Sequence, residues 1–404
     1  MSQLRRACLG LYSCLPLLVL VAGASAQDPV LSVRPAPAPD SAPGRIRLDV
    51  VVTGRQGTPV PDLKKEDFTL TDNKQPRKIV DFELVDGSGA KAGQPAEVIL
   101  LIDTVNATFQ QVAVAREQIA KFLRQNGGHL AQPVRIFLLT GEGLRMQPRP
   151  SVDGNALLEV LNQVEPSVRT TGSAASGMSE VERFQFSLRT LTGIAINEAP
   201  SNRTAQRGTE DEARKKNRKT LIWIGPGWPT LTGPNYSTSA KEQQHYFDAI
   251  VQLSTVLREA RIALYSVSPF NPAKGAAARP PESTPFAMAS AEAPPASRVS
   301  RGADDAGNES SYREFLRGVK SARQADSGNL ALQVLAVESG GRVLDPSNDL
   351  AGQIVNCVAD ASVYYTLSFD PPKAERADEY HELKVQAGRP DLTARTSAGY
   401  YNQP

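Results

Sequence analysis

The sequence predicts an α/β fold: a mainly parallel sheet with helices on both faces, joined to a small β-sandwich-like domain built from N- and C-terminal segments. Three observations predict it. Between about residues 95 and 360, short continuous apolar runs alternate with segments of helical period, the pattern of doubly covered strands and crossover helices. On either side, residues 45–90 and 361–404 show the two-residue alternation of half-buried strands. Finally, 404 residues with 40% hydrophobic content and a formal charge of +2 suffice for two packed cores, and exclude a collagen, a coiled-coil rod or a wholly disordered chain.

The first residues have the composition of an export signal. Arg5 and Arg6 precede a mostly apolar stretch over 7–22 and the small residues Ala24, Ser25 and Ala26, which predicts a signal peptide over 1–26 cleaved after Ala26. The apolar run falls short of the roughly 20 residues a bilayer span needs. The expected product is secreted or periplasmic, with no integral membrane segment. Cleavage removes Cys8 and Cys14, so Cys357 alone remains and no internal disulfide can form. It also brings acidic and basic residues into balance, which gives no general attraction to nucleic acid or membrane surfaces. Residues 27–44 alternate proline with small residues, a stiff linker without a core.

The elements follow in order. Ile46–Val52 alternates and then becomes continuously apolar, Phe68–Thr71 and Ile79–Leu84 alternate again, and Asp72-Asn73-Lys74 between them predicts a hairpin turn. Val98–Ile102 is a buried strand ending in Asp103. Thr108 and Gln111 stand at capping-box spacing before a helix on which Phe109, Val112, Ile119 and Phe122 share a face. Val134–Leu139 is the next strand, and Asp153 caps a helix carrying Leu157, Leu158, Leu161 and Val164. Val181–Ile196 is helical, Leu221–Ile224 is a strand stopped by Gly225-Pro226-Gly227, residues 240–259 form an amphipathic helix, and Ile262–Val267 is a strand. Residues 198–218, polar and ending in a basic run, and residues 269–311, rich in Pro, Ala and Ser, predict mobile surface insertions. The rhythm then resumes with a helix over Leu330–Glu338 and another, capped by Ser347 or Asn348, with Leu350, Ile354, Val355 and Val358 inward. Strands at Val363–Phe369, Tyr380–Val385 and Leu392–Thr396 return to pack with the 45–90 segment.

Six blocks then stand in a specific order: VVVTGRQGTPVPDLKKEDFTLTDNKQPRKI, ILLIDTVNATF, RKTLIWIGPGWP, LAVESGGRVLDPSNDL, YYTLSFDPP and HELKVQAGRPDLTARTSAGYY. In that order they resemble the bacterial VWFA-related family of acidobacterial type, exported proteins with a von Willebrand factor A-like (vWA) domain and flanking β segments. The resemblance implies a vWA, Rossmann-like core over 95–360. It also implies a question about metal, because a typical vWA domain holds Mg²⁺ with Asp-x-Ser-x-Ser after the first strand, a Thr and an Asp from two later loops. That spacing turns three oxygens toward one point, as octahedral Mg²⁺ requires. Here the motif falls on Asp103-Thr104-Val105-Asn106-Ala107, in which Asp103 matches while Val105 and Ala107 offer no side-chain oxygen. Thr170 or Thr171 stands where the second loop is expected, and Gly225-Pro226 where the third-loop Asp is expected. The adhesion site therefore reads as degenerate, with no metal or other cofactor expected and with Thr104 or Asn106 as compensating ligands if Mg²⁺ does bind.

Asp103 has two readings, a structural acceptor for N–H groups of the next helix and a ligand contact at the edge where crevices of open α/β sheets lie. Trp228, in a loop at that edge, reads as a contact residue or a packing residue. Asp103, Thr104, Asn106, Thr171 and Trp228 are thus the ligand-contact candidates. His129, His245 and His381 form no metal-spaced pair, and no hydrolase, zincin or phosphate-loop motif occurs. Cys357 lies near the apolar face of its helix, as a packed thiol does. The expectation is a non-enzymatic binding protein with a protein partner; the alternatives are a metal-dependent adhesin with unconventional ligands and an α/β hydrolase.

Overall fold

The computed structural model describes residues 44–55, 57–86, 96–163, 177–200, 214–231, 238–269 and 319–404. The export signal, most of the proline-rich linker, Val164, Thr170, Thr171 and the greater part of both expected insertions lie outside the described residues.

The N-terminal segment forms β1 (Ile46–Thr53), β2 (Phe68–Asp72), β3 (Gln75–Arg77) and β4 (Asp81–Asp86). The C-terminal segment forms β12 (Val363–Phe369), β13 (Glu379–Ala387), β14 (Thr393–Arg395) and β15 (Gly399–Asn402). They interleave in two four-stranded sheets, ordered β14-β1-β12-β4 and β15-β13-β2-β3. Alternate side chains of both sheets, among them Leu48, Val50, Leu70, Leu367, Phe369, Leu383 and Val385, meet in one buried core. Asn73 and Lys74 both take positive φ, 49° and 67°, which matches the turn twist a two-residue hairpin needs. That hairpin joins β2 to β3, a strand of only three residues, whereas residues 81–86 cross to the other sheet beside β12.

The middle of the chain forms a mixed α/β layer. Its strands are β5 (Glu97–Asp103), β6 (His129–Thr140), β7 (Gly143–Met146), β8 (Ser151–Asp153), β9 (Lys219–Ile224), β10 (Ile262–Pro269) and β11 (Val343–Ser347). The order is β11-β10-β9-β5-β6-β7, with β8 also on β6, and every pair from β11 to β6 is parallel. The helices are α1 (Phe109–Leu123), α2 (Gly154–Gln163), α3 (Glu180–Glu198), α4 (Ala240–Glu259), α5 (Leu332–Glu338) and α6 (Leu350–Ser362). Val98, Leu100 and Ile102 pack with α1, α2 and α6 on one face. Ile99 and Leu101 are equally inaccessible on the other. Burial on both faces is why β5 reads as an unbroken apolar run. Val51 and Tyr364 extend this core into the first sandwich sheet, and Arg261 pairs bidentately with Asp49 of β1 through Nε and Nη2.

Several details differ from the pattern reading. Phe109 is 65% exposed, because as the first residue of α1 it precedes the turn that packs. Val355 is exposed, and α6 is capped by Asp349, whose side chain accepts from Gly352 N at 3.1 Å. The basic run that closes the first expected insertion is not solvated throughout. Arg218 and Lys219 are buried, and Lys219 begins β9. The Lys219 ammonium donates to the carbonyls of Lys215, Asn217 and Ala260 at 2.7, 2.8 and 3.2 Å. Nearby, Arg135 and Arg214 each pair with both Glu97 and Glu198 beneath the N-terminal ends of β5 and β9. Burial alone would push the Glu198 carboxyl up, but those two arginines hold it below its ordinary value. Charge reads as solvent-facing in a sequence; here it is buried because opposite charges were brought together from four separated segments.

Candidate functional site

The strand order reverses between β5 and β9. β6 lies on one side of β5, while β9, β10 and β11 follow on the other. The C-terminal ends of β5 and β9 therefore flank the topological switch point, the place where open α/β sheets leave a crevice. Asp103 closes β5 there and is fully buried.

Four N–H groups meet its carboxylate. Oδ1 accepts from Val105 N and Asn106 N, both at 3.0 Å. Oδ2 accepts from Asn106 Nδ2 at 2.9 Å and from the Trp223 indole Nε1 at 3.0 Å. Burial pushes the carboxyl above its ordinary value, against the opposing pull of these bonds. The Asn106 amide also donates to Ser187 Oγ of α3 at 3.0 Å, which ties the loop to a helix far along the chain. Thr104 turns away: its hydroxyl and its amide both donate to Leu139 O of β6, at 2.7 and 3.0 Å. A Cβ on Gly225 would sit 2.9 Å from Asp103 Cβ, so the chain beyond β9 approaches as closely as only glycine permits.

The remaining candidates separate. Trp228 lies at the same edge but is 6% exposed. It packs edge-to-face on Trp223, with centroids 5.1 Å apart, and donates its indole N–H to Leu330 O at 3.0 Å. Thr171 lies outside the described residues. Sequence reasoning missed Trp223 and Ser187 as partners of the loop. The only signal was indirect: Trp223 alternates onto the face of Asp103 once β9 is known to neighbour β5. The thiol of Cys357 is buried and pushed up by that burial.

The Mg²⁺ that the family resemblance implies does not fit these residues. Each Asp103 oxygen already accepts two hydrogen bonds, Val105 and Ala107 bring no side-chain oxygen, and the third loop brings Gly225 and Pro226. Among the described residues, no group of three or more His, Cys, Asp or Glu is placed to hold a metal, and no helix is long and apolar enough to cross a membrane.

No family model and no curated protein matches the chain. Among solved structures it is similar to the TFIIH p34 N-terminal domain, at 14% identity over 43% of this chain and 81% of that one, with a TM-score of 0.27. It is also similar to the human COPII-coat protein Sec24c, at 8% identity over 79% and 46%, with a TM-score of 0.31. A third similarity is to the SpRpn10 VWA domain, at 11% identity over 44% and 76%, with a TM-score of 0.21. At these identities and scores the likenesses say nothing of activity. The fold stands on its own strand order: a mixed α/β protein with a mainly parallel central sheet flanked by helices, plus two antiparallel sheets.

Proposed function

We propose that this is an exported, non-enzymatic binding protein whose vWA-like domain contacts a protein partner through the Asp103 edge without a metal ion. One observation carries the reading: the four N–H donors on Asp103 come from the chain itself and hold the loop in the place where a cation would otherwise organise it. The exposed Phe109, directly after that loop, supports a contact role, since aromatic side chains are enriched in protein interfaces. Export rests on the composition of residues 1–26.

Isothermal titration of the mature chain with Mg²⁺, Mn²⁺ and Ca²⁺ tests the metal-free part. The expected result is no saturable heat. Micromolar binding that disappears in Asp103→Ala would reject it. A second reading, a metal-dependent adhesin with unconventional ligands, has one observation on its side: Asn106 Oδ1 is buried and has no hydrogen-bond partner among the described residues. It predicts that the titration succeeds in the parent chain and fails in Asn106→Ala.

A further inference from the structure

Glu338 is the last residue of α5 and is 8% exposed. Its carbonyl accepts from Ala398 N, just before β15, at 2.9 Å. Two residues on, Gly340 lies so close to the β14–β15 connection that a Cβ would stand 2.6 Å from Thr396 C. The Glu338 side chain lines a cavity of about 10 Å³ shared with Ile250 of α4, Asn329, Val334, Tyr380 of β13 and Tyr401 of β15. That is room for a single water. The site is therefore a joint between the α/β layer and the second sandwich sheet, with a carboxyl at its centre.

Burial raises the Glu338 carboxyl to about 7, against the opposing pull of a hydrogen bond with Ser254 of α4. A negative charge at the C-terminus of a helix is disfavoured as well. From β13 and β15, the Tyr380 and Tyr401 hydroxyls are pushed up by burial and by the Glu338 charge, with Glu382 adding to the first and Asp378 to the second. From α4, Arg258 is engaged electrostatically with Glu259 and Tyr400, and Glu259 is itself raised to about 7 by burial. Both tyrosines stay protonated near neutrality, and Glu338 and Glu259 are the carboxyls that burial raises toward it.

We propose that this contact is an acid-tightened joint: it is closed while the Glu338 carboxyl keeps its proton, and it loosens, admitting water between α5 and the tyrosine pair, when that proton leaves. The sign follows from linkage. A carboxyl raised in the closed form contributes its full stabilisation below the ordinary glutamate range, loses it as pH rises toward about 7, and changes little above.

Hydrogen exchange of the full chain, corrected for the intrinsic pH dependence of exchange, tests this at the amides of Ala398 and Tyr401. The expected result is an opening constant that rises on the order of 100-fold between pH 5 and pH 8. Glu338→Gln, an isosteric neutral side chain, should flatten that rise. Glu259→Gln should leave it in place. Ser254→Ala, which keeps the acid but removes its hydrogen bond, should move the midpoint to higher pH. A flat profile in the parent chain overturns the proposal, as does an unchanged rise in Glu338→Gln.

Discussion

At the scale of single residues, Asp103 is a carboxylate removed from water whose charge is met by four N–H groups. Removing one of them should be costly. Trp223→Phe keeps an aromatic ring but deletes the donor and part of a fully buried side chain, and is expected to destabilise the fold by at least ~1–3 kcal/mol in urea unfolding, with no recovery on adding Mg²⁺. Gly225→Ala forces a Cβ against Asp103 and should cost ~1–3 kcal/mol in the same measurement. How much of this was legible depends on sequence distance. A strand-terminal Asp before a helix announces an acceptor for backbone N–H groups. The expected donors are those of the next helix, whereas the observed ones, Val105 and Asn106, belong to the loop before α1 begins at Phe109. Trp223 and Ser187 reach the loop from other elements, and no local pattern carries that information. The same limit applies to Trp228, whose loop position did not foretell that the segment around Leu330 would cover it.

At the scale of elements, end signals were legible where a cap and its partner lie three residues apart. Thr108 and Gln111 form the reciprocal capping box their spacing implies, and Asp153 accepts from Asn155 N and Ala156 N at the start of α2. The cap of α6 was displaced by one or two residues because Ser347, Asn348 and Asp349 are all competent. Asp349→Ala is expected to lower stability by ~1 kcal/mol while Asn348→Ala leaves it unchanged, a contrast that thermal melting resolves. The basic run at 214–219 was illegible for a different reason. Its counter-charges, Glu97 and Glu198, lie in other elements. Glu198→Ala leaves Arg135 and Arg214 short of one partner in the interior and should cost ~3–5 kcal/mol in denaturant unfolding.

At the scale of the whole molecule, the α/β layer and the sandwich share buried side chains. Val51 and Tyr364 belong to the α/β core, and Asp49 of β1 is clamped by Arg261. Heat should therefore unfold the described body in one calorimetric transition. Arg261→Ala is expected to shift that transition down by an amount equivalent to ~3 kcal/mol without splitting it in two. The architecture itself was legible because period two at both ends and period 3.6 in the middle are properties of the chain; which strand joins which sheet was not, as the fate of residues 81–86 shows. The interleaving has a temporal consequence. Arg45 and Asp370 are hydrogen-bonded across 325 positions, so β1 waits for β12, and the β2–β3 hairpin for β13, until nearly the entire polypeptide has emerged. Closure of so long a loop carries a large entropic toll and comes late. During that interval the early strands are open to association with neighbouring chains, and refolding yield should fall as protein concentration rises.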